Sequence, residues 1–398
     1  METFRFILNP FTRKMRAANA PQPLPSDSIA FHKTLPGYAT TPLVTLPDLA
    51  KSLGTAAVYV KDESYRFGLN AFKSLGASFA VYSWLQKQHT ARFGKRFTPS
   101  EFVSGEVTKR IGPVTFTTAT DGNHGRAVAW TARFIGQKAV IFMPKGSVPA
   151  RIDAIRKLGA EVNIVDGDYD QAVRTAAREA EKHGRQVISD TSWPGYTEIP
   201  GWIQLGYYTL LCEVDDEVAS RSDKAPTIVF VQAGVGALAA AVGAYYANVP
   251  HHKRPVLVSV EPTGAACMLE SAEIADGKPH TSRGSGKTIM AGLNCATPSM
   301  IAWPVIMSAF DAFIAVDDAW AEKAMRSLAR PAAGDPPVTS GESGAAGMAA
   351  LLALMSDEAP RDTRKCLHLT KSSRVLVIST EGATDPDNCA RIISGAPK

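Results

Sequence analysis

Cysteine is scarce in this chain. The five cysteines among 398 residues, Cys212, Cys267, Cys295, Cys366 and Cys389, are far apart, form no CxxC pair and leave one over from any full pairing. A disulfide scaffold is thereby excluded, and reduced thiols in a cytoplasmic protein are expected. Also missing is any apolar run near the roughly 20 residues that cross a bilayer, so no membrane partner is expected. The first 25 residues carry Arg5, Arg13, Lys14 and Arg16 but no apolar core of secretory type. Blocks of one charge are absent too. The 43 Lys and Arg against 38 Asp and Glu give a net charge of +5 that is spread along the chain, which does not suggest a nucleic-acid partner. No cluster of His, Cys and Asp has the spacing of zinc ligands, so no metal is expected.

What is present is apolar bulk, 45% of the residues. That is enough for about two domains of roughly 150 residues each. From about 114 to 190 one unit repeats. VTFTTAT is a strand and HGRAVAWTARFIG a helix; KAVIFMP is a strand and VPARIDAIRKLG a helix; AEVNIVD, DQAVRTAAREAEKHG and RQVISD complete the series. A second series begins near 226 with PTIVFVQ, GVGALAAAVGAYYA and RPVLVSVEP, and RVLVIST follows near the C-terminus. Strands alternating with helices of this length predict α/β architecture built from parallel sheets.

The residues with chemical potential fall at predicted carboxyl ends of strands: Asp121, Asp190, Gly234 and Ser379. That edge is where open α/β sheets bind ligands. The loop Gly234-Val-Gly236-Ala-Leu-Ala239 lies between a strand and a helix and fits two readings. With Glu261 at the end of the next strand it matches a dinucleotide fingerprint. Equally, backbone N–H groups at the helix start can cradle any phosphate. RGSGKT at 283–288 imitates the end of a Walker A loop, but Thr281 stands where its first glycine belongs and no strand precedes it.

Lys73 is embedded in Leu69-Asn-Ala-Phe-Lys-Ser-Leu-Gly76. A lysine among apolar neighbours usually snorkels to water, whereas desolvation would make it a nucleophile. Asp121, in Thr120-Asp-Gly-Asn-His-Gly-Arg126, has its own plain reading as an N-cap. Asp190 could stabilise the turn into TSWPG, and His124 reads as a loop-packing residue.

Taken together, NAFKSLG, TDGNHG and AGVGAL resemble the fold-type II pyridoxal-phosphate enzymes, the superfamily of the tryptophan synthase β chain and threonine dehydratase. The likeness is nearest to its ammonia-lyase branch acting on 2,3-diaminopropionate, where an aspartate replaces the Ser or Thr usual at position 121. It continues through FMPKGS, DTSWPGYTEIP, TIMAGL, SGESGA and ISTEG. The resemblance implies two open, mostly parallel sheet domains with flanking helices and an active site in the cleft between them, with 1–83 and 196–398 as the large cofactor-binding domain and 84–195 as the small one. It implies that Lys73 bonds the pyridoxal phosphate, that Asn123 meets the ring hydroxyl, and that Gly234, Val235, Gly236, Ala237 and Leu238 hold the phosphate. Ser379, with Thr380 a close rival, meets the ring nitrogen.

The implied reaction is α,β-elimination of D- and L-2,3-diaminopropionate to pyruvate and two ammonia. Asp121 takes the α-proton of the D-isomer and Asp190 that of the L-isomer. A carboxylate suits this work where a hydroxyl would not, since the 3-amino group leaves poorly unless protonated. A homodimer is implied as well. The alternatives are a serine or threonine dehydratase-like lyase on another β-substituted amino acid, against which Asp121 argues, and a nicotinamide-dependent dehydrogenase, which leaves Lys73 unexplained.

Overall fold

The computed structural model describes residues 4–11, 27–250, 253–332, 334–357, 359 and 361–396. Most of the basic N-terminal stretch lies outside the described residues. The chain divides into two compact units. The larger comprises Met1–Leu24, Thr40–Tyr65 and Leu210–Lys398, the smaller Pro25–Ala39 and Arg66–Thr209. Residues 66–83 and 196–209 thus pack with the smaller unit, whereas the sequence reading groups them with the cofactor-binding domain.

The larger unit is built on a seven-stranded sheet. Its strands are β1 (Phe4–Leu8), β2 (Leu43–Thr45), β3 (Ala57–Asp62), β8 (Ile228–Gln232), β9 (Val256–Pro262), β10 (Ala312–Val316) and β11 (Arg374–Ser379). The order is β1-β10-β9-β8-β11-β3-β2, parallel throughout except for the two edge strands. The central strands read as unbroken apolar runs, IVFVQ and AFIAV, because a parallel sheet is covered on both faces. One of those covers is the helix Ala346–Met355, apolar all round, in a core with Val58, Phe230, Val258, Ile314 and Val377. β1, β2, β3 and β10 were not expected. β1 pairs antiparallel from Phe4↔Val316 to Leu8↔Ala312.

The smaller unit holds a four-stranded parallel sheet of β4 (Thr115–Ala119), β5 (Lys138–Pro144), β6 (Glu161–Val165) and β7 (Gln186–Val187), ordered β6-β5-β4-β7. The helices Asn123–Phe134, Pro149–Arg156 and Tyr169–His183 connect them as the sequence pattern predicts. The last strand is shorter than expected. The hydroxyl of Tyr196 accepts the Ser189 N–H at 2.8 Å and donates to Val187 O at 3.1 Å, so a side chain takes over where the ladder would have continued. Among the described residues no helix is long and apolar enough to cross a membrane.

Candidate active site

Lys73 is the first residue of the 21-residue helix Lys73–Phe93, whose start has no side-chain cap. A cation there opposes the positive end of the helix dipole, a placement that stability alone would not favour. The ammonium does not snorkel: Nζ donates to Asp190 Oδ2 at 2.5 Å. Glycines at positions 76 and 206 set this corner. A Cβ on Gly76 would lie 2.7 Å from Ile203 and Tyr207, and one on Gly206 would lie 2.4 Å from Leu75 O. The helix Glu198–Gly206 can therefore press directly on the first turn that carries Lys73.

Asp121 follows β4 and does not cap the next helix. Thr120 does that work, its hydroxyl accepting the N–H of Gly122 at 2.9 Å and of Gly125 at 3.0 Å. The chain passes Gly122 at φ 146°, a conformation that favours glycine, and a Cβ there would lie 3.0 Å from Arg151 Cδ. Asp121 is thus left uncommitted to the backbone. Loss of solvent, with the Asp190 carboxylate adding to it, pushes Asp121 up to about 7, while Arg151 and Lys73 act against the rise. Asp190 behaves oppositely. Its burial would raise it, but the Lys73 ammonium, which also donates a hydrogen bond to it, outweighs that and holds it down at about 2. Two carboxylates near one lysine, one held ionised and one poised near neutrality, form the pattern of an acid/base pair.

His124 lies in the first turn of the helix Asn123–Phe134. Its Nε2 is 2.8 Å from Ile188 O. A carbonyl only accepts, so the proton is on Nε2 and Nδ1 carries a lone pair. Among the described residues that buried Nδ1 has no hydrogen-bond partner, and it lies 3.9 Å from Asp190 Oδ2. Sequence reasoning missed this relation, because a lone histidine in a loop looks like packing. It missed Arg151 for a similar reason: nothing in VPARIDAIR separates a buried arginine from a surface one.

In the larger unit the glycine loop ends β8 and opens the helix Ala237–Ala247, capped by Gly236 at φ 95° with no side-chain cap bond. A Cβ on Gly234 would lie 3.1 Å from Gly292 O and Cys295 Sγ, and one on Gly236 would lie 2.6 Å from Met268 Cε. Only glycine lets the loop run so close to its neighbours, and the first-turn N–H groups meet no side-chain cap, which fits an anionic phosphate. Ser379 ends β11, the strand beside β8. Its buried hydroxyl is 2.9 Å from Ser340 Oγ, a group suited to facing a ring nitrogen. Thr380 Oγ1 accepts from Gln232 Nε2 at 2.9 Å. Glu381, to which the sequence reading assigned nothing, braces the SGESG loop by accepting the Ser343 N–H at 3.1 Å.

The dinucleotide reading fails on Glu261. Glu261 is fully buried, and its two oxygens accept the N–H groups of Met268 and Leu269 at 2.8 and 2.9 Å, so it braces the helix Cys267–Ile274 instead of facing a ligand. Residues 281–290 carry neither helix nor strand, so the Walker-like GKT opens no helix.

Comparison with known proteins agrees with the geometry. Residues 34–381 match the family model described as pyridoxal-phosphate dependent enzyme. Diaminopropionate ammonia-lyase of Salmonella typhimurium is 46% identical over 365 residues, which cover 90% of this chain and 89% of that protein. The crystal structure of the Escherichia coli diaminopropionate ammonia-lyase in complex with an aminoacrylate-PLP azomethine reaction intermediate superposes with a TM-score of 0.87 at 38% identity, covering 99% of this chain and 97% of that one. The structure of the same E. coli protein with D-serine gives a TM-score of 0.88 at 39% identity, covering 98% and 97%. By its motifs, its two mostly parallel sheets and these relatives, the chain belongs to the fold-type II pyridoxal-phosphate dependent enzymes, in the branch of the diaminopropionate ammonia-lyases.

Proposed function

We propose that this protein is a pyridoxal-phosphate-dependent ammonia-lyase that converts D- and L-2,3-diaminopropionate to pyruvate and two ammonia. The observation that carries the reading is the pair of carboxylates near Lys73, with Asp190 held ionised and Asp121 brought close to neutrality. The identity to named relatives supports the substrate, and the D-serine complex of the E. coli protein supports a site open to D-amino acids.

The residues that would hold the cofactor are Lys73 at its aldehyde carbon, Asn123 at the ring hydroxyl, Gly234 to Leu238 at the phosphate and Ser379 at the ring nitrogen. Thr380 stays a rival to Ser379, since both hydroxyls are hydrogen-bonded, Ser379 to Ser340 and Thr380 to Gln232. When bound, the cofactor supplies the electron sink that makes the substrate α-proton removable. The protein supplies the base: Asp121 for the D-isomer and Asp190 for the L-isomer. Asp121, carrying a proton through much of the neutral range, can also return one to the departing 3-amino nitrogen. For assembly and location our reading is a homodimer in the cytoplasm, supported by the family likeness and by the scarcity of cysteine in the sequence.

The test is pyruvate release from D- and L-diaminopropionate, with L-serine and L-threonine as comparison substrates, by the wild type and by Asp121→Asn and Asp190→Asn. The expected result is loss of D turnover in the first variant and of L turnover in the second. Equal losses on both isomers in either variant would sink the division of labour, and faster turnover of serine or threonine would sink the substrate.

A further inference from the structure

The strongest unexplained feature is the bare Nδ1 of His124. It is a buried polar atom without a hydrogen-bond partner, its tautomer fixed by donation from Nε2 to Ile188 O at 2.8 Å, and the nearest acidic group is Asp190, 3.9 Å away. A lone pair turned towards a carboxylate is unfavourable unless a proton lies between them. The arrangement makes sense if a proton is there for part of the reaction.

We propose that His124 is a positioning and proton-holding residue for Asp190, taking up at Nδ1 the proton that Asp190 removes from the L-isomer. This rests on the assignment of Asp190 to the L-isomer. As the substrate Cα–H bond breaks, its electron pair stays with the substrate and the proton forms an O–H bond on Asp190. That O–H then breaks as Nδ1–H forms, leaving an Asp190 carboxylate beside a His124 imidazolium, already anchored at its other nitrogen. The proton returns by the same route to the neutral 3-amino nitrogen, which departs as ammonia with the electron pair of its carbon–nitrogen bond. A shift of about 1 Å brings 3.9 Å into hydrogen-bonding range.

Other groups also bear on Asp190. Asp121, Tyr196 and Tyr207 all lie within its electrostatic reach, the first following β4, the second in the loop after β7 and the third just after the helix Glu198–Gly206. Asp121 belongs to the D-isomer in the scheme above. Tyr196 is committed to Ser189 and Val187. The Tyr207 hydroxyl is partnerless, but a phenol there is a poor proton acceptor beside an imidazole.

His124→Gln tests this, since its amide can still donate to Ile188 O while offering nothing in place of Nδ1. On the holoenzyme, kcat for the L-isomer is expected to fall at least ten-fold relative to kcat for the D-isomer, with KM for both little changed. A packing role would lower both isomers together, and that outcome overturns the proposal. Asp190→Asn runs in parallel: if it spares L turnover, the base assignment fails and takes the relay with it, whereas loss of L turnover in Asp190→Asn with an unchanged L-to-D ratio in His124→Gln overturns the relay alone. A second readout does not depend on turnover. In ¹⁵N-histidine-labelled protein, His124 is expected as the Nε2–H tautomer, with its titration moved to lower pH by Asp190→Asn. A titration unaffected by that substitution shows that the two groups are uncoupled.

Discussion

The hydroxyl of Thr120 accepts the backbone N–H groups of Gly122 and Gly125, and by doing so it frees the carboxylate of Asp121 next to it. Helix starts need an acceptor. Here the chain uses the residue before the aspartate, so the acid keeps its proton chemistry. Thr120→Val keeps the shape and removes the acceptor, and is expected to cost about 1 kcal/mol of stability. D turnover should fall more than L turnover, because Asp121 is then drawn towards the orphaned N–H groups. Thermal melting and the ratio of the two rates check this.

Opposite shifts of the two aspartates predict different pH profiles for the two isomers. Acting as a base requires the ionised form. With Asp121 pushed up to about 7, kcat/KM for the D-isomer rises with pH below about 7 and levels above it, whereas the L-isomer, whose base is Asp190, shows no limb set by Asp121. Stability carries the matching sign. An acid raised above its ordinary value of 3.8 is comfortable in the fold only while protonated, so stability falls as pH rises through the window from about 4 to about 7. Asp121→Asn is therefore expected to melt higher than the wild type by a margin that grows between pH 5 and pH 8. A margin that stays flat over that range would contradict the assignment.

Gly236 caps the helix Ala237–Ala247 at φ 95°, with Met268 Cε 2.6 Å from where a Cβ would stand. Gly236→Ala is expected to cost roughly 1–2 kcal/mol in backbone strain. It should also weaken cofactor binding at least ten-fold, read by titrating the apoprotein with pyridoxal phosphate. Unchanged affinity would show that the loop does not carry the phosphate.

Away from the chemistry, Lys61 and Glu213 form a buried ion pair at 2.6 Å, with Lys61 also donating to Thr41 O at 2.7 Å. Glu213→Ala strands an ammonium in the core and is expected to cost about 3–5 kcal/mol, while Lys61→Met with Glu213→Leu recovers most of it. Denaturant unfolding of the three proteins decides the matter.

Much of this was legible in the sequence, for physical reasons that differ between elements. β4, β5 and β6 announced themselves because β-branched and apolar runs alternate with helical periods over 115–183. β1 did not. FRFIL contains a charge, and its partner β10 lies some 300 residues away, beyond any local pattern. Among the site residues, Lys73 read on composition alone was a snorkelling lysine, and only the likeness of its surroundings to a family drew attention to it. Its partner Asp190 stood out by its place at the carboxyl end of a predicted strand, and the likeness then gave it a role. Neither the transfer of the capping role from Asp121 to Thr120 nor the bare nitrogen of His124 could be read in advance. Both depend on which atoms meet across loops, and residue type is silent on that.

The topology of the two sheets has a consequence for the timing of biosynthesis. β4 to β7 lie within one continuous stretch ending at Val187, so Lys73, Asp121 and Asp190 have been synthesised before the chain is half made. The larger sheet must wait: β11, which fits between β8 and β3, ends at Ser379. At about 5–20 residues per second, the stretch from Asp190 to Ser379 takes roughly 10–40 s to synthesise. During that interval Lys73 is already made while the seven-stranded sheet, which carries the Gly234 loop, still lacks one of its inner strands. A nascent chain is therefore expected to acquire its cofactor late, and a ribosome-bound chain stalled before residue 374 should bind none.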